Sequence, residues 1–151
     1  IGDSRAYRWR RGNLEQLTRD DSFVQLLVDQ GLITRQEADD HPRANELTRA
    51  LGSPEDTQDL VISNHDIELG DIILLCSDGF WKVSNSLLEN ACKQLTEEAV
   101  TQERLDGFCA DLVGQALDAG SDDNISLVVM YWDRTDDLPT NDATSITKEE
   151  T

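Results

Sequence analysis

The hydrophobic pattern changes period several times along the chain, and each change marks an element. From Gly70 to Trp81, GDIILLCSDGFW, five apolar residues (Ile72 to Cys76) follow one another without a break. A strand apolar on both faces must be covered on both, so this run predicts a central strand inside a layered domain. It ends in Ser77-Asp78-Gly79, where a glycine permits a sharp turn and a carboxylate is presented as the strand leaves the core. On its own, Asp78-Gly79 reads equally well as a plain turn.

Upstream, Ala6 to Trp9 and Leu14 to Leu17 alternate as short strands around Arg11-Gly12-Asn13, a hairpin signal. Phe23, Leu26, Leu27 and Gln30 carry a helical period that follows several capping residues and stops at Gly31. Thr34 with Glu37 is a capping-box pattern for a second short helix, ended before His41-Pro42. The two helices predict an inserted flap over the sheet. Glu46 to Leu51 and Asp59 to Asn64 read as further strands, with Gly52-Ser53-Pro54 a loop between them.

Downstream, Ser84 or Ser86 can cap a helix through Leu87, Leu88, Ala91, Cys92 and Leu95. Leu105, Phe108, Cys109, Leu112, Val113, Ala116 and Leu117 keep the rhythm of a longer amphipathic helix, stopped at Gly120. Ile125 to Trp132 is the last strand. From Asp133 the sequence is acidic, rich in Thr and Asp, and without hydrophobic period, which predicts a disordered tail over 133–151.

A length of 151 residues suits one sizeable core, here over 1–132. Thirteen Lys and Arg against 31 Asp and Glu give a net charge of −18, which argues against nucleic acid or an anionic membrane as partner. Most of these acids only solvate the surface, but the balance also fits a protein that uses cations. Three cysteines, Cys76, Cys92 and Cys109, lack CxxC spacing and suggest free thiols in a reducing cytoplasm rather than disulfides or a zinc site. The first residue is Ile1 rather than Met, and Ile1 to Ser4 reads as a strand already in progress, as in a chain cut from something longer.

Three acids stand at strand ends: Asp3, Asp78 and Asp123. If the strand before Asp78 runs antiparallel to those after Asp3 and Asp123, the three carboxylates fall at one end of one sheet. Such a cluster repels itself unless neutralised, and all-oxygen ligands suit Mg²⁺ or Mn²⁺ better than zinc. Carboxylate-held metal ions can activate a water for in-line attack at phosphorus. Neither His41 nor His65 fits that site.

Six short motifs then occur in a recognisable order: Gly2-Asp3-Ser4-Arg5-Ala6-Tyr7, Leu17-Thr18-Arg19-Asp20, His41-Pro42-Arg43 with Asn45, Leu47-Thr48-Arg49-Ala50-Leu51-Gly52, Leu74-Leu75-Cys76-Ser77-Asp78-Gly79 and Asp123-Asn124-Ile125-Ser126. In order and spacing they resemble the second half of the protein phosphatase 2C family, the metal-dependent serine/threonine phosphatases, most closely its bacterial members. The resemblance implies an α+β fold, a four-layer α/β/β/α sandwich of two antiparallel sheets flanked by helices. It implies a cytoplasmic, monomeric hydrolase of phosphoserine and phosphothreonine in proteins, opposing a serine/threonine kinase in signalling, with two Mn²⁺ or Mg²⁺ ions and room for a third. By position, Asp78 and Asp123 resemble ligands of the core pair, and Asp3 resembles the ligand of the third, weaker ion. Asn124 would orient the turn that holds Asp123, and residues 22–45 are similar to the family's variable flap, which influences substrate choice. Arg5 and Arg49 are read as structural strand arginines rather than phosphate binders.

Three departures qualify the resemblance. The family's first half, with a further metal-bridging Asp-Gly and a phosphate-gripping arginine, has no counterpart in this sequence, which predicts that the chain alone is inactive. Lys82 stands where many relatives carry an acid that helps hold the third ion; a lysine there brings a positive charge and weakens that site. Asp21 replaces a usual histidine. The alternative to an enzyme is a phosphatase-like binding module that has lost its chemistry; a third reading, an acidic structural domain with ordinary Asp-Gly turns, leaves the ordered motifs to coincidence.

Overall fold

The structure is a computed structural model and describes residues 1–50, 52 and 62–133, with the backbone alone at 83–86. Its centre is one antiparallel sheet of four strands, β1 (Arg5–Arg10), β2 (Asn13–Gln16), β3 (Ile72–Cys76) and β4 (Leu127–Tyr131), in the order β2-β1-β3-β4. The hairpin closes where expected: Arg10 pairs with Asn13 across a two-residue turn in which Arg11 and Gly12 both have positive φ, 51° and 84°. Left-handed conformations at both central positions match the twist of the flanking strands.

The two short helices also form as read. Helix α1 (Phe23–Asp29) is capped by the Ser22 hydroxyl, which accepts from the Gln25 N–H, and the chain leaves it through Gly31 at φ 68°. Helix α2 (Arg35–Asp39) carries a complete capping box between Thr34 and Glu37. The Arg43 guanidinium lies 3.5 Å over the Phe23 ring, and His41 Nδ1 accepts the Arg43 N–H, so His41 is part of the flap's own scaffold.

Two expectations need correction here. Residues 46–50 form no strand. Leu47 makes a single antiparallel bridge to Ser22, formed by the Thr48 N–H on the Asp21 carbonyl and the Phe23 N–H on the Glu46 carbonyl, and the pairing goes no further because the chain enters α1 at Phe23. The second expected strand lies partly outside the described residues, and its described part, 62–64, is irregular. Residues 134–151 lie outside the described residues, as does most of the predicted tail.

Behind the sheet, α3 (Asp78–Leu95) and α4 (Gln102–Asp118) pack together and against one face. Tyr7, Trp9, Ile72, Leu74 and Cys76 from the strands meet Phe80, Leu88, Cys92, Leu95, Phe108, Leu112 and Ala116 from the helices in one buried cluster. Of the four layers expected, the described residues form two, a sheet and its helix layer. The opposite face is open and apolar on β3 and β4, where Leu75, Val128 and Met130 are each roughly half exposed, while β1 brings Arg8 and Arg10 to it. The central strand is therefore covered on one face only at Leu75. The continuous apolar run concealed which face was which, because alternation is the signal that distinguishes them. No helix among the described residues is long and apolar enough to cross a membrane.

Candidate metal centre

Strand polarity decides where the three acids go. Arg5 of β1 lies opposite Cys76 of β3, and Cys76 lies opposite Leu127 of β4, both pairings antiparallel. The segment before β1, the segment after β3 and the segment before β4 thus leave the sheet at one end, and these carry Asp3, Asp78 and Asp123.

Asp78 does not sit in a plain turn. It is the first residue of α3, whose start precedes the Ser84 or Ser86 expected from sequence, with Ser77 as the capping position. An acid in the first turn is favoured by the helix dipole. The misreading arose because Asp-Gly usually marks a turn, whereas Gly79 serves a different purpose. A Cβ on Gly79 would lie 2.6 Å from the Asn124 carbonyl oxygen, so only glycine allows α3 to begin against the Asp123-Asn124 backbone. That close approach brings the Asp78 and Asp123 segments together.

Asp78 Oδ2 accepts from Lys82 Nζ at 2.7 Å, one helical turn on, and Oδ1 accepts the Gly79 N–H at 3.0 Å. The lysine hydrogen bond holds the Asp78 carboxyl below the usual carboxylate range, against the opposing effect of burial. Asp3 behaves in the opposite way: burial first, and then the charge of Asp78, push its carboxyl up, and Lys82 only partly offsets them. Asp3 and Asp78 are therefore like charges in one field with one lysine between them. Asp123 is exposed, and one of its oxygens accepts the Asn124 N–H at 2.6 Å, fixing the turn. The turn is held through the Asn124 backbone, whose carbonyl in turn accepts the Ser77 hydroxyl at 2.9 Å.

Around Asp3 lies a set of contacts that the sequence did not reveal. Trp81 Nε1 donates to the Asp3 carbonyl at 2.9 Å, and the Arg5 guanidinium stacks 3.4 Å over the Trp81 ring. The same guanidinium donates from Nε and Nη2 to the buried Asp20 and from Nη1 to the Tyr7 hydroxyl. Arg5 is thus fully committed to structure, as expected. Arg49 approaches Asp21 at 3.8 Å, and Arg19 approaches the same carboxylate at 3.9 Å, so Asp21 acts as an anionic hub for the flap's base.

The donor chemistry at this end is carboxylate oxygen, which fits a hard divalent cation, and the unrelieved charge at Asp3 is of the kind a cation would relieve. The set is partial. Among the described residues no group of three or more His, Cys, Asp or Glu side chains lies close enough to hold an ion unaided. The three cysteines are free, and burial pushes the Cys76 thiol up to about 11 and the Cys92 thiol to about 12, which leaves both inert and outside the site.

No protein-family model matches the chain. Among characterised proteins it is 42% identical over 130 residues to the serine/threonine protein phosphatase PstP of Mycobacterium tuberculosis, covering 85% of this chain and 23% of that one. It is 33% identical to the serine/threonine phosphatase stp of Listeria monocytogenes, covering 89% of this chain and 51% of the relative. In solved structures it superposes with a TM-score of 0.72 at 37% identity on the PPM Ser-Thr phosphatase MsPP of Mycobacterium smegmatis, over 87% of this chain and 53% of that one. It superposes with a TM-score of 0.67 at 37% identity on the catalytic domain of PstP in complex with two manganese ions. The chain spans 23% of the length of one of these curated relatives and 51% of the other. Over that span, in sequence and in fold, it is related to the bacterial serine/threonine phosphatases of the protein phosphatase 2C, or PPM, type.

Proposed function

We propose that the chain supplies part of the catalytic domain of a protein serine/threonine phosphatase, with Asp78 and Asp123 as ligands of a divalent metal pair and Asp3 as ligand of a third, weaker ion. The observation that carries this reading is the convergence of the three acid-bearing segments at one sheet end. Bound Mn²⁺ or Mg²⁺ would supply there an activated water and positive charge for the phosphoryl group. The chain's own residues do the positioning. Asp78 is delivered by the first turn of α3 and held by Lys82, Asp123 by the Asn124 turn, and Asp3 by the indole of Trp81. Arg5, paired with Asp20, is not free to grip a phosphate. The open apolar patch at Leu75, Val128 and Met130 suits a second sheet, which supports reading 1–132 as the C-terminal part of a two-sheet sandwich with a site completed by groups outside this chain.

Substrates on this reading are phosphoserine and phosphothreonine proteins of a serine/threonine kinase, met by the flap of residues 22–45. The enzyme is a cytoplasmic signalling monomer, a placing that the three free thiols support. The test is Mn²⁺-dependent phosphate release from a phosphothreonine peptide, comparing this chain with the protein expressed from the full reading frame that encodes it. Activity in the longer protein alone, abolished by Asp78→Asn without loss of folding, is the expected result. Full turnover in the folded Asp78→Asn variant would remove Asp78 from the metal site. Silence from the folded longer protein would favour the binding module.

A further inference from the structure

The close approach of α3 to the Asp123 turn is secured by two hydroxyls. Ser77 occupies the N-cap position of α3, yet its side chain makes no capping bond to that helix. Its Oγ instead donates to the Asn124 carbonyl at 2.9 Å and accepts the Ser126 N–H at 2.9 Å, while the Ser77 N–H donates to the Ser126 carbonyl at 3.0 Å. From the other side, the Ser121 hydroxyl donates to the Gly79 carbonyl at 2.6 Å. Between them Gly79 presses against Asn124 with no room for a Cβ. The residues on either side of Asp78 are therefore bonded to residues on either side of Asp123.

A serine at an N-cap normally spends its oxygen on the helix's own N–H groups, and diverting it leaves that end less well capped. Cross-bonding of this kind is expected where the separation of two segments matters more than the stability of either. We propose that Ser77 and Ser121 are positioning residues that fix the spacing of Asp78 and Asp123, and so set the affinity of the site those two carboxylates form. The proposal rests on the metal-site reading above and deepens it. Neither serine touches substrate or metal; each acts through the backbone beside a carboxylate, as outer-shell partners of metal ligands do.

The experiment is isothermal titration of Mn²⁺ into the protein expressed from the full reading frame, in five forms: unmodified, Ser77→Ala, Ser121→Ala, Ser77→Thr and Asp78→Asn. Each alanine variant is expected to weaken Mn²⁺ binding by about tenfold or more, the usual effect of losing an outer-shell partner. Ser77→Thr, which keeps a hydroxyl, should recover most of the loss. Melting temperature without metal, read alongside, separates the two roles: a purely structural serine lowers it and leaves the Mn²⁺ affinity of the folded protein unchanged. Alanine variants that bind as tightly as the unmodified protein, while Asp78→Asn does not, overturn the positioning role and leave the metal site standing. Equal binding by Asp78→Asn and the unmodified protein overturns the metal site itself and the positioning role with it.

Discussion

At the end of the sheet away from Asp78, Asp71 is 1% exposed and completely satisfied: Arg10 Nε and Nη2 grip its two oxygens at 2.7 and 2.6 Å, and the Glu68 N–H adds a third bond. At the other end Asp3 and Asp78 stand half-buried, share one exposed lysine, and keep Asp3 above its ordinary value. The two ends draw on the same residue types. What separates them is the partner. A planar guanidinium matched to a carboxylate makes a closed pair with nothing left to offer a ligand, whereas a single ammonium on an exposed helical turn leaves oxygens and charge to spare. A carboxylate at a strand end is thus a candidate ligand only where no arginine has claimed it.

The contrast can be broken most forcefully at the closed end. Asp71→Ala leaves the Glu68 N–H unpaired and takes two bonds from the Arg10 guanidinium, which keeps the Glu68 carboxylate and the Asp66 carbonyl, so the cost should be on the order of 2 kcal/mol in urea unfolding. A loss under about 1 kcal/mol, the range of exposed pairs, would mean that the two ends are managed alike.

The same pair gives a pH signature. The Arg10 hydrogen bond holds the Asp71 carboxyl below its ordinary 3.8, so the stability it contributes is fully present above that value. It is lost as the pH falls through the lower, folded-state value, where the folded carboxylate is finally protonated. Asp71→Asn should flatten the acid limb of the stability curve, measured by urea midpoints from neutral pH downward. An unchanged acid limb would assign that limb to other carboxylates.

Legibility in the sequence followed the range of the interactions. The hairpin, the capping box of α2 and the glycine stops after α1 and α4 are set by residues within a few positions of one another, and all formed where read. The antiparallel arrangement that brings the ends carrying Asp3, Asp78 and Asp123 to one side of the sheet could only be posed as a condition, because the pairings of Arg5 with Cys76 and of Cys76 with Leu127 join segments far apart in the chain. The start of α3 was misplaced because Gly79's reason lies at Asn124, far along the chain. Residues 46–50, expected as part of a strand, keep only the bridge of Leu47 to Ser22 because α1 begins at Phe23, which no propensity of 46–50 reports. The Arg10–Asp71 pair spans 61 residues, and nothing near Asp71 announces an arginine partner. Ser121 left no trace beyond its place in a polar loop.

The smallest expected effect lies at the open end. Lys82 and Asp78 are an i, i+4 pair with side chains 35% and 29% exposed. Such pairs give back in side-chain entropy and solvent screening most of what the charges gain, so Lys82→Ala should change stability by less than about 0.5 kcal/mol in metal-free buffer. The sign depends on Asp3 as well. Lys82 draws the Asp3 carboxyl down while Asp78 pushes it up, so losing the lysine leaves two like charges unscreened and tilts the change toward loss. That tilt should shrink in high salt, where like-charge repulsion between partly exposed groups is screened. A loss as large as that of Asp71→Ala would show that Lys82 closes its end of the sheet as firmly as Arg10 closes the other. The exposed geometry of the pair argues against that, because an ammonium reaching a single carboxylate oxygen from the surface leaves the second oxygen to the Gly79 N–H and to solvent.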